Sequence, residues 1–366
     1  MHLERLWLTD FRNYGTAELA PDPDALTVVV GANGQGKTNL LEAVGYLATL
    51  RSFRGGPREA LVRVGAAQAV VRAQTRRAGR SVLIEAEVHL SGRDRVQVNR
   101  QPLRRTRDLL GALQVTVFTP DDLSIVKGPP GDRRTYLDDL LLALHPRHDA
   151  TQAEVDRVLK QRNALLKSAA ARSGRPDPDL VRTLDVWDAK LAAAGETLVA
   201  ARAGLTAALS PVTGESYRGL AAASGTDTRL EVGLEYRRSW AGPLAEALAS
   251  ARDEELRRGV TTVGPHRDDL ALTIGGLPAR SHASQGEQRS LALALRLAGH
   301  QVVTTRLETP PVLLLDDVFS ELDADRAAAL LDQLPAGQAL LTTAGALPPG
   351  AEPAVVVHVE AGKLVG

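Results

Sequence analysis

Hydrophobic and polar residues alternate with a period of two over much of the first hundred positions. LERLWLTDF, AQAVVRAQT, SVLIEAEVHL and RVQVNRQPL, with the short apolar run LTVVV, predict strands. RAGR and LSGRDR predict hairpin connections between them. From about residue 120 to 255 the spacing becomes helical, in DRRTYLDDLLLAL, TQAEVDRVLKQRNALLKSAAA and DLVRTLDVWDAKLAAAGETLVAARAGLTAAL, separated by LHPRHD and RSGRPDPD. Strand-like LEVGLEY and LALTIGG follow, then a helix in SLALALRLAGHQVVTTRL, a strand in PVLLLDD, a helix in AAALLDQL and a strand in QALLTTA. The apolar spacing of 151–171 does not hold heptads over three or four repeats, so no long coiled coil is expected. The pattern predicts an α/β domain built from both ends of the chain, with a mainly helical lobe inserted. The expected division is 1–118, the helical lobe 119–255, and 256–366.

Composition narrows the class. The chain has 366 residues, no cysteine and a formal net charge of +0. A disulfide framework, a thiolate metal site and a cysteine nucleophile are thereby excluded. MHLERLWLTD carries no basic segment followed by an apolar run, and no stretch has bilayer-spanning length. A cytoplasmic protein without a membrane partner is expected. Charge is uneven, however: residues 51–110 hold fourteen arginines against five acids, a local +9. Lysine occurs only six times in the chain, so a preference for arginine is general, but the local excess over acids is not. A phosphate-binding face for DNA is expected there, with Arg76, Arg77 and Arg80 as contacts.

Residues 31–38, GANGQGKT, match GxxxxGK[ST] between a strand and a helix. Glycines let successive backbone N–H groups converge on phosphate oxygens, and the helix start adds its dipole. Gly31, Ala32, Asn33, Gly34, Gln35 and Gly36 form the expected cradle for ATP. Lys37 is expected at the β/γ oxygens, and Thr38 offers a hydroxyl to Mg²⁺. A second piece is PVLLLDDVFSELD, where the apolar strand ends in Asp316–Asp317. A carboxylate delivered at the tip of a buried strand suits a metal, so Asp316 is the expected second Mg²⁺ ligand and Asp317 the group that polarises water.

Ser284 and Glu287 in SQGEQRSLALALRLA form a capping box before a helix. Ser284–Gln285–Gly286–Glu287–Gln288 is also similar to the signature of ABC-class ATPases, whose serine and helix-start N–H groups close the nucleotide site of a second subunit. The order phosphate loop, signature, acidic strand and SELD is the order of that class. LERLWLTDFRNY, GANGQGKTNLLEA, FTPDDLSIVKGPPGDRRTYLD, GPHRDDL, SQGEQRSLALALRLA and LLLDDVFSELD together resemble the RecF family, recombination-mediator ATPases of the SMC-like ABC group. The resemblance runs nearly end to end. It implies an ABC-type P-loop ATPase head, α/β in class, with an inserted helical lobe. It further implies an ATP-dependent homodimer, slow ATP hydrolysis stimulated by DNA, and binding of single-stranded, double-stranded or gapped DNA. RecO and RecR are the implied partners, and RecA loading, replication restart and the SOS response the implied setting. Residue by residue, it places Arg12 and Asn13 of FRNY near the nucleotide, with a plain strand-to-turn boundary as the other reading, and Ser320–Asp323 as the D-loop.

Three departures point to a switch rather than a motor. Asp317 stands where relatives carry glutamate, Thr342–Thr343 where ABC relatives often place a histidine, and Asp121–Asp122 where a glutamine loop is expected. An ABC transporter subunit is the alternative reading, but its signature follows the phosphate loop by about a hundred residues, whereas Ser284 lies far beyond that interval. Of the remaining candidates, Arg133 and Arg134 fit either a phosphate contact or an ion-paired helix face. His266 reads as a turn residue. His145 and His148 lack a third ligand nearby.

Overall fold

The computed structural model describes residues 1–77, 79–103, 109, 111–171, 177–223 and 231–365. Two compact units emerge, Met1–Asp122 with Glu215–Arg229 and Arg289–Gly366, and Leu123–Gly214 with Leu230–Gln288. The second unit thus takes in residues 256–288. The reason is pairing: β9 (Val232–Arg237) is hydrogen-bonded along its length to β10 (Asp269–Ile274), which also pairs with β11 (Leu277–Pro278).

The first unit holds two sheets. One is antiparallel, in the order β2 (Tyr14–Leu19), β1 (His2–Phe11), β4 (Gln68–Arg77), β5 (Arg80–His89), β6 (Arg95–Val98), β7 (Gln101–Pro102). Alternation works as the sequence predicts. Leu6 and Leu8 of β1, Ala69, Val71 and Ala73 of β4, and Ile84, Ala86 and Val88 of β5 are buried, while Arg72 and Arg76 between them face outward. The other sheet runs β15 (Lys363–Val365), β14 (Val355–Glu360), β3 (Leu26–Val30), β13 (Ala339–Thr343), β12 (Val312–Asp316), β8 (Val115–Phe118). Its strands are parallel except for the edge strand β15. β12 and β13 are buried at every position, which is why they read as unbroken apolar runs.

Helix α1 (Lys37–Thr49) packs on β1, β4 and β5 of the first sheet and on β8, β12 and β13 of the second. Covered on both sides, it buries Leu40, Leu41, Ala43, Val44 and Leu47 completely. Each such leucine or valine contributes about 1.5–3 kcal/mol. This one core fixes the start of α1, and with it the loop before it, against the strand tips.

The second unit contains α2 (Leu123–Lys127), α3 (Pro130–Leu144), α4 (Arg147–Ala170), α6 (Leu244–Arg258) and α7 (Ala279–His282), with most of α5 (Pro178–Ala223). Inside it Arg162, fully buried, joins Asp188 and Glu255, holding α4, α5 and α6 together. The sequence reading ends its third helix at 209, before Pro211, yet α5 continues through Pro211 to Ala223. Proline removes one ladder N–H. The helix persists because apolar residues are buried on both sides of it, Leu205 and Leu209 before, Tyr217 and Leu220 after. Helix α8 (Gln285–Leu307) begins in the second unit and continues in the first, and α9 (Ala324–Asp332) belongs to the first. Among the described residues no helix is long and apolar enough to cross a membrane.

Candidate functional site at the strand tips

Strands β3, β13 and β12 are neighbours in register, Val29 opposite Thr342 and Thr342 opposite Asp316. Their carboxyl ends therefore deliver the phosphate loop, Thr342–Thr343 and Asp316–Asp317 to one edge, where open α/β sheets bind ligands. Gly34 and Gly36 have φ of 80° and 120°, conformations that an L side chain resists. Gly36 caps α1 without any side-chain hydrogen bond. The first N–H groups of the helix are thus left for an anion.

Lys37 is buried, its Nζ donating to Ala32 O at 3.0 Å across the loop. Thr38 Oγ1 donates to Asp316 Oδ1 at 2.9 Å, joining the two motifs 278 positions apart. Asp316 is buried, and burial pushes its carboxyl above the usual range, partly offset by hydrogen bonds from Thr342 and Thr38. Asp317 adopts φ 50°, left-handed for a non-glycine residue, and its buried Oδ1 has no partner among the described residues. A buried carboxylate with a raised pKa beside a hydroxyl, and a second acid with an orphaned oxygen, are what a cation and an ordered water would satisfy. The donor set fits Mg²⁺, with Thr38 and Asp316 as the residues able to hold it.

Thr342, fully buried between the two acids, donates to Asp316 Oδ1 at 2.8 Å and accepts from Asp317 N at 2.9 Å. The sequence reading sees this position only as a missing histidine. It also misses the bracing of the loop. Tyr14 Oη donates to Gly36 O at 2.9 Å, Asn13 Nδ2 to Gln35 O at 2.8 Å, and Asn39 Nδ2 to Asn13 Oδ1 at 2.8 Å. The signal lies in the FRNY turn, whose Arg12 and Asn13 the sequence places near the nucleotide without showing that Asn13 braces the loop. The Arg12 guanidinium grips Glu42, fully buried in α1, through Nε at 2.8 Å and Nη2 at 2.6 Å.

In the second unit Ser284 caps α8. Its N–H donates to Glu287 Oε2 at 2.7 Å and its Oγ accepts from Glu287 N at 3.3 Å, the reciprocal box expected of the spacing. Ser284 and Gln285 are exposed, Gly286 is half-buried, and Gln288 is buried with Nε2 on Ala279 O and Arg280 O. In the first unit, Arg289 pairs with Glu321 and Ser320 Oγ donates to Asp317 O, so the turn after Asp317 is held from both ends. Asp122 is buried, accepting from Thr119 N at 2.9 Å and from Arg296 of α8 at 2.7 Å. Asp121 is exposed.

Arg133 turns inward to Asp269, and Arg134 donates to Asp268 O. His266 is largely buried on Thr261 O, and burial lowers its pKa to about 4. The His145 and His148 rings lie tilted to one another with centroids 6.0 Å apart, and among the described residues no group of three or more His, Cys, Asp or Glu could hold a metal ion. Of the expected DNA contacts, Arg76 pairs with Glu4 at 2.5 Å, Arg77 donates to Gly111 O at 2.9 Å, and Arg80 is exposed. The net excess of 51–110 is partly neutralised by acids outside it, Glu4 on Arg76, Asp10 on Arg63 and Glu42 near Arg54, while Arg58–Asp94 and Arg72–Glu85 pair within the window. An open concavity of about 1700 Å³ lies over the outward face of the antiparallel sheet. Arg95, Arg100 and Lys363 line it without a carboxylate partner among the described residues.

The chain matches the model of the RecF/RecN/SMC N-terminal domain over residues 2–343. It is 48% identical over 361 residues to the DNA replication and repair protein RecF of Frankia alni, covering 94% of this chain and 93% of that one. A solved structure of the recombination mediator protein RecF-ATP in the RecFOR pathway superimposes with a TM-score of 0.89 at 27% identity, covering 100% of this chain and 97% of that one. An Smc head bound to the C-winged helix domain of ScpA shares the fold, with a TM-score of 0.59 at 18% identity, covering 100% of this chain and 97% of that one. The architecture is accordingly that of an ABC-type ATPase head, with no long coiled coil among the described residues, and the chain belongs to the RecF family of DNA replication and repair proteins.

Proposed function

We propose that this chain is an ATP-gated, DNA-binding protein of recombinational repair. The observation that carries the reading is the Thr38–Asp316 junction beside Asp317, whose buried Oδ1 lacks a partner among the described residues. Main-chain N–H groups of the loop, those of Gly34, Gly36, Lys37 and Thr38 among them, and the Lys37 ammonium bind the triphosphate of ATP. Thr38 and Asp316 would hold Mg²⁺, which would supply neutralisation of the phosphate charge. Asp317 orients a water, and Thr342 fixes both acids for these tasks. One methylene shorter than glutamate, Asp317 suits slow hydrolysis and a long-lived bound state.

Ser284, exposed at a capped helix start, closes the nucleotide site of a second copy, with the N–H groups of Gln285 and Gly286 beside it, those of Glu287 and Gln288 being taken up by Ser284. ATP thus drives a homodimer. DNA, single-stranded, double-stranded or gapped, is held by backbone charge alone, and the uncompensated Arg95, Arg100 and Lys363 of the concavity are its anchors alongside exposed Arg80. Support comes from relatives that are DNA replication and repair proteins and, in one case, a recombination mediator of the RecFOR pathway. On this reading RecO and RecR are partners, RecA loading is the outcome, and replication restart and the SOS response are the cytoplasmic setting. A DNA gel shift with and without Mg-ATP, over a range of salt, tests the reading: ATP strengthens binding if it holds, and has no effect if it does not.

A further inference from the structure

The sequence reading passes over residues 355–365, yet β14 and β15 form a hairpin that reaches the phosphate loop. β14 pairs in parallel with β3 from Val355↔Thr27 to His358↔Val30, so the strand feeding the loop and the C-terminal strand form one ribbon. Past that pairing the two stay close. A Cβ on Gly31 would lie 2.5 Å from Val359 O, so the first loop residue is glycine partly because β14 crosses it closely.

The turn between β14 and β15 then meets the loop's fifth residue. Ala361 N donates to Gln35 Oε1 at 2.6 Å, and Gly362 N donates to Gln35 O at 3.1 Å. The same carbonyl accepts from Asn13 Nδ2 at 2.8 Å. Gln35 is therefore held by two chain segments far from it in sequence. Both turn residues have positive φ, 47° at Ala361 and 73° at Gly362. A Cβ on Gly362 would lie 2.3 Å from Asn13 O, a main-chain atom that cannot swing aside. Asn13 in turn fills the space beside Gly36, where a Cβ would meet its amide at 2.7 Å. Turn, Asn13 and loop are thus packed at backbone distance, and a shift of the turn has to move Gln35 or Asn13.

We propose that the Ala361–Gly362 turn is a positioning element of the phosphate loop: its two N–H groups hold Gln35 so that the neighbouring loop amides converge on the triphosphate. The inference rests on the nucleotide site proposed above. It assigns to the C-terminal hairpin a role in nucleotide affinity although no residue of the hairpin belongs to the loop.

The test compares the full-length chain with Gly362→Ala, Gln35→Met and Gly350→Ala. Gly350 also has positive φ, 86°, but nothing within 4 Å of its Cβ position, so it reports the backbone penalty alone. Mg-ATP and inorganic tripolyphosphate are titrated by calorimetry, and thermal unfolding is recorded for each variant. Gly362→Ala is expected to weaken both ligands at least tenfold and, because its Cβ also meets Asn13 O, to unfold below Gly350→Ala, which keeps wild-type affinity. Gln35→Met, which retains side-chain length but loses the acceptor of Ala361, weakens both in the same direction. Wild-type affinity in folded Gly362→Ala, or equal weakening in Gly350→Ala, overturns the inference. Should Gly362→Ala not fold, wild-type affinity in Gln35→Met overturns it. If the wild-type chain binds neither ligand, the nucleotide reading itself fails, a result distinct from the others.

Discussion

The Thr342 hydroxyl donates to Asp316 Oδ1 at 2.8 Å while accepting the N–H of Asp317 at 2.9 Å, so one buried side chain sets the geometry of both acids. Thr342→Val keeps the shape and removes both bonds. A loss of about 2–3 kcal/mol of stability is expected for two buried hydrogen bonds, one to a carboxylate. ATP turnover should fall far more than ATP affinity, because Asp317 is freed from its left-handed conformation. Thr342→Ser should restore most of both, and equal turnover in the valine and serine variants would contradict the role.

Asp316 supplies a pH signature. Burial raises its carboxyl above the unfolded value, so the folded state binds that proton more tightly than the unfolded chain does. The Asp316 contribution to the stability of the ligand-free protein is then fully present below the unfolded pKa, near 4, and is lost as pH rises through the interval up to the folded pKa. Asp316→Asn keeps an oxygen for the two threonine hydroxyls and removes the charge. Its unfolding midpoint should exceed wild type at neutral pH, with the gap closing in acid, while Mg²⁺-dependent ATP binding is lost. A variant less stable than wild type at pH 7 would show that the carboxylate is not under strain.

Lys37→Met tests the loop itself. The ammonium bonds only to Ala32 O among the described residues and the stem is buried, so a similarly long apolar side chain should preserve the fold. ATP binding should disappear. Normal affinity in the folded variant removes the basis of the nucleotide reading.

For DNA, charge reversal at Arg95, Arg100 and Lys363 should lower the log–log salt slope by about 0.9 for each duplex phosphate that is no longer neutralised, with ATP affinity intact. Reversal at Arg76, Arg77 and Arg80 should cost less, since Arg76 and Arg77 already have partners in Glu4 and Gly111. Salt titrations of both triple variants decide between the two faces.

How much of this was legible in the sequence depends on how far apart the interacting residues lie along the chain. The strand–loop–helix at 26–49 follows from local glycine spacing, and the acid at the tip of β12 from an apolar run, so both halves of the site could be read directly. The reciprocal box at Ser284 and Glu287 is equally local. What escaped was long-range: Glu4 meeting Arg76 across 72 positions, Glu42 capturing Arg12, Asp122 meeting Arg296, and the C-terminal hairpin closing on Gln35. The +9 of 51–110 overstated the free charge for the same reason, because acids outside that window fold onto its arginines.

The central claim is that ATP assembles two copies through Ser284, and light scattering tests it most directly. With Mg-ATP the Asp317→Asn variant, which retains the metal-side acid, should double the 38.9 kDa mass of the chain, whereas without nucleotide it should remain at that mass. Ser284→Arg should bind ATP as a monomer, with about 1 kcal/mol of stability lost through the broken cap. A mass that does not change with ATP in the Asp317→Asn protein, or a full dimer in Ser284→Arg, would contradict the account.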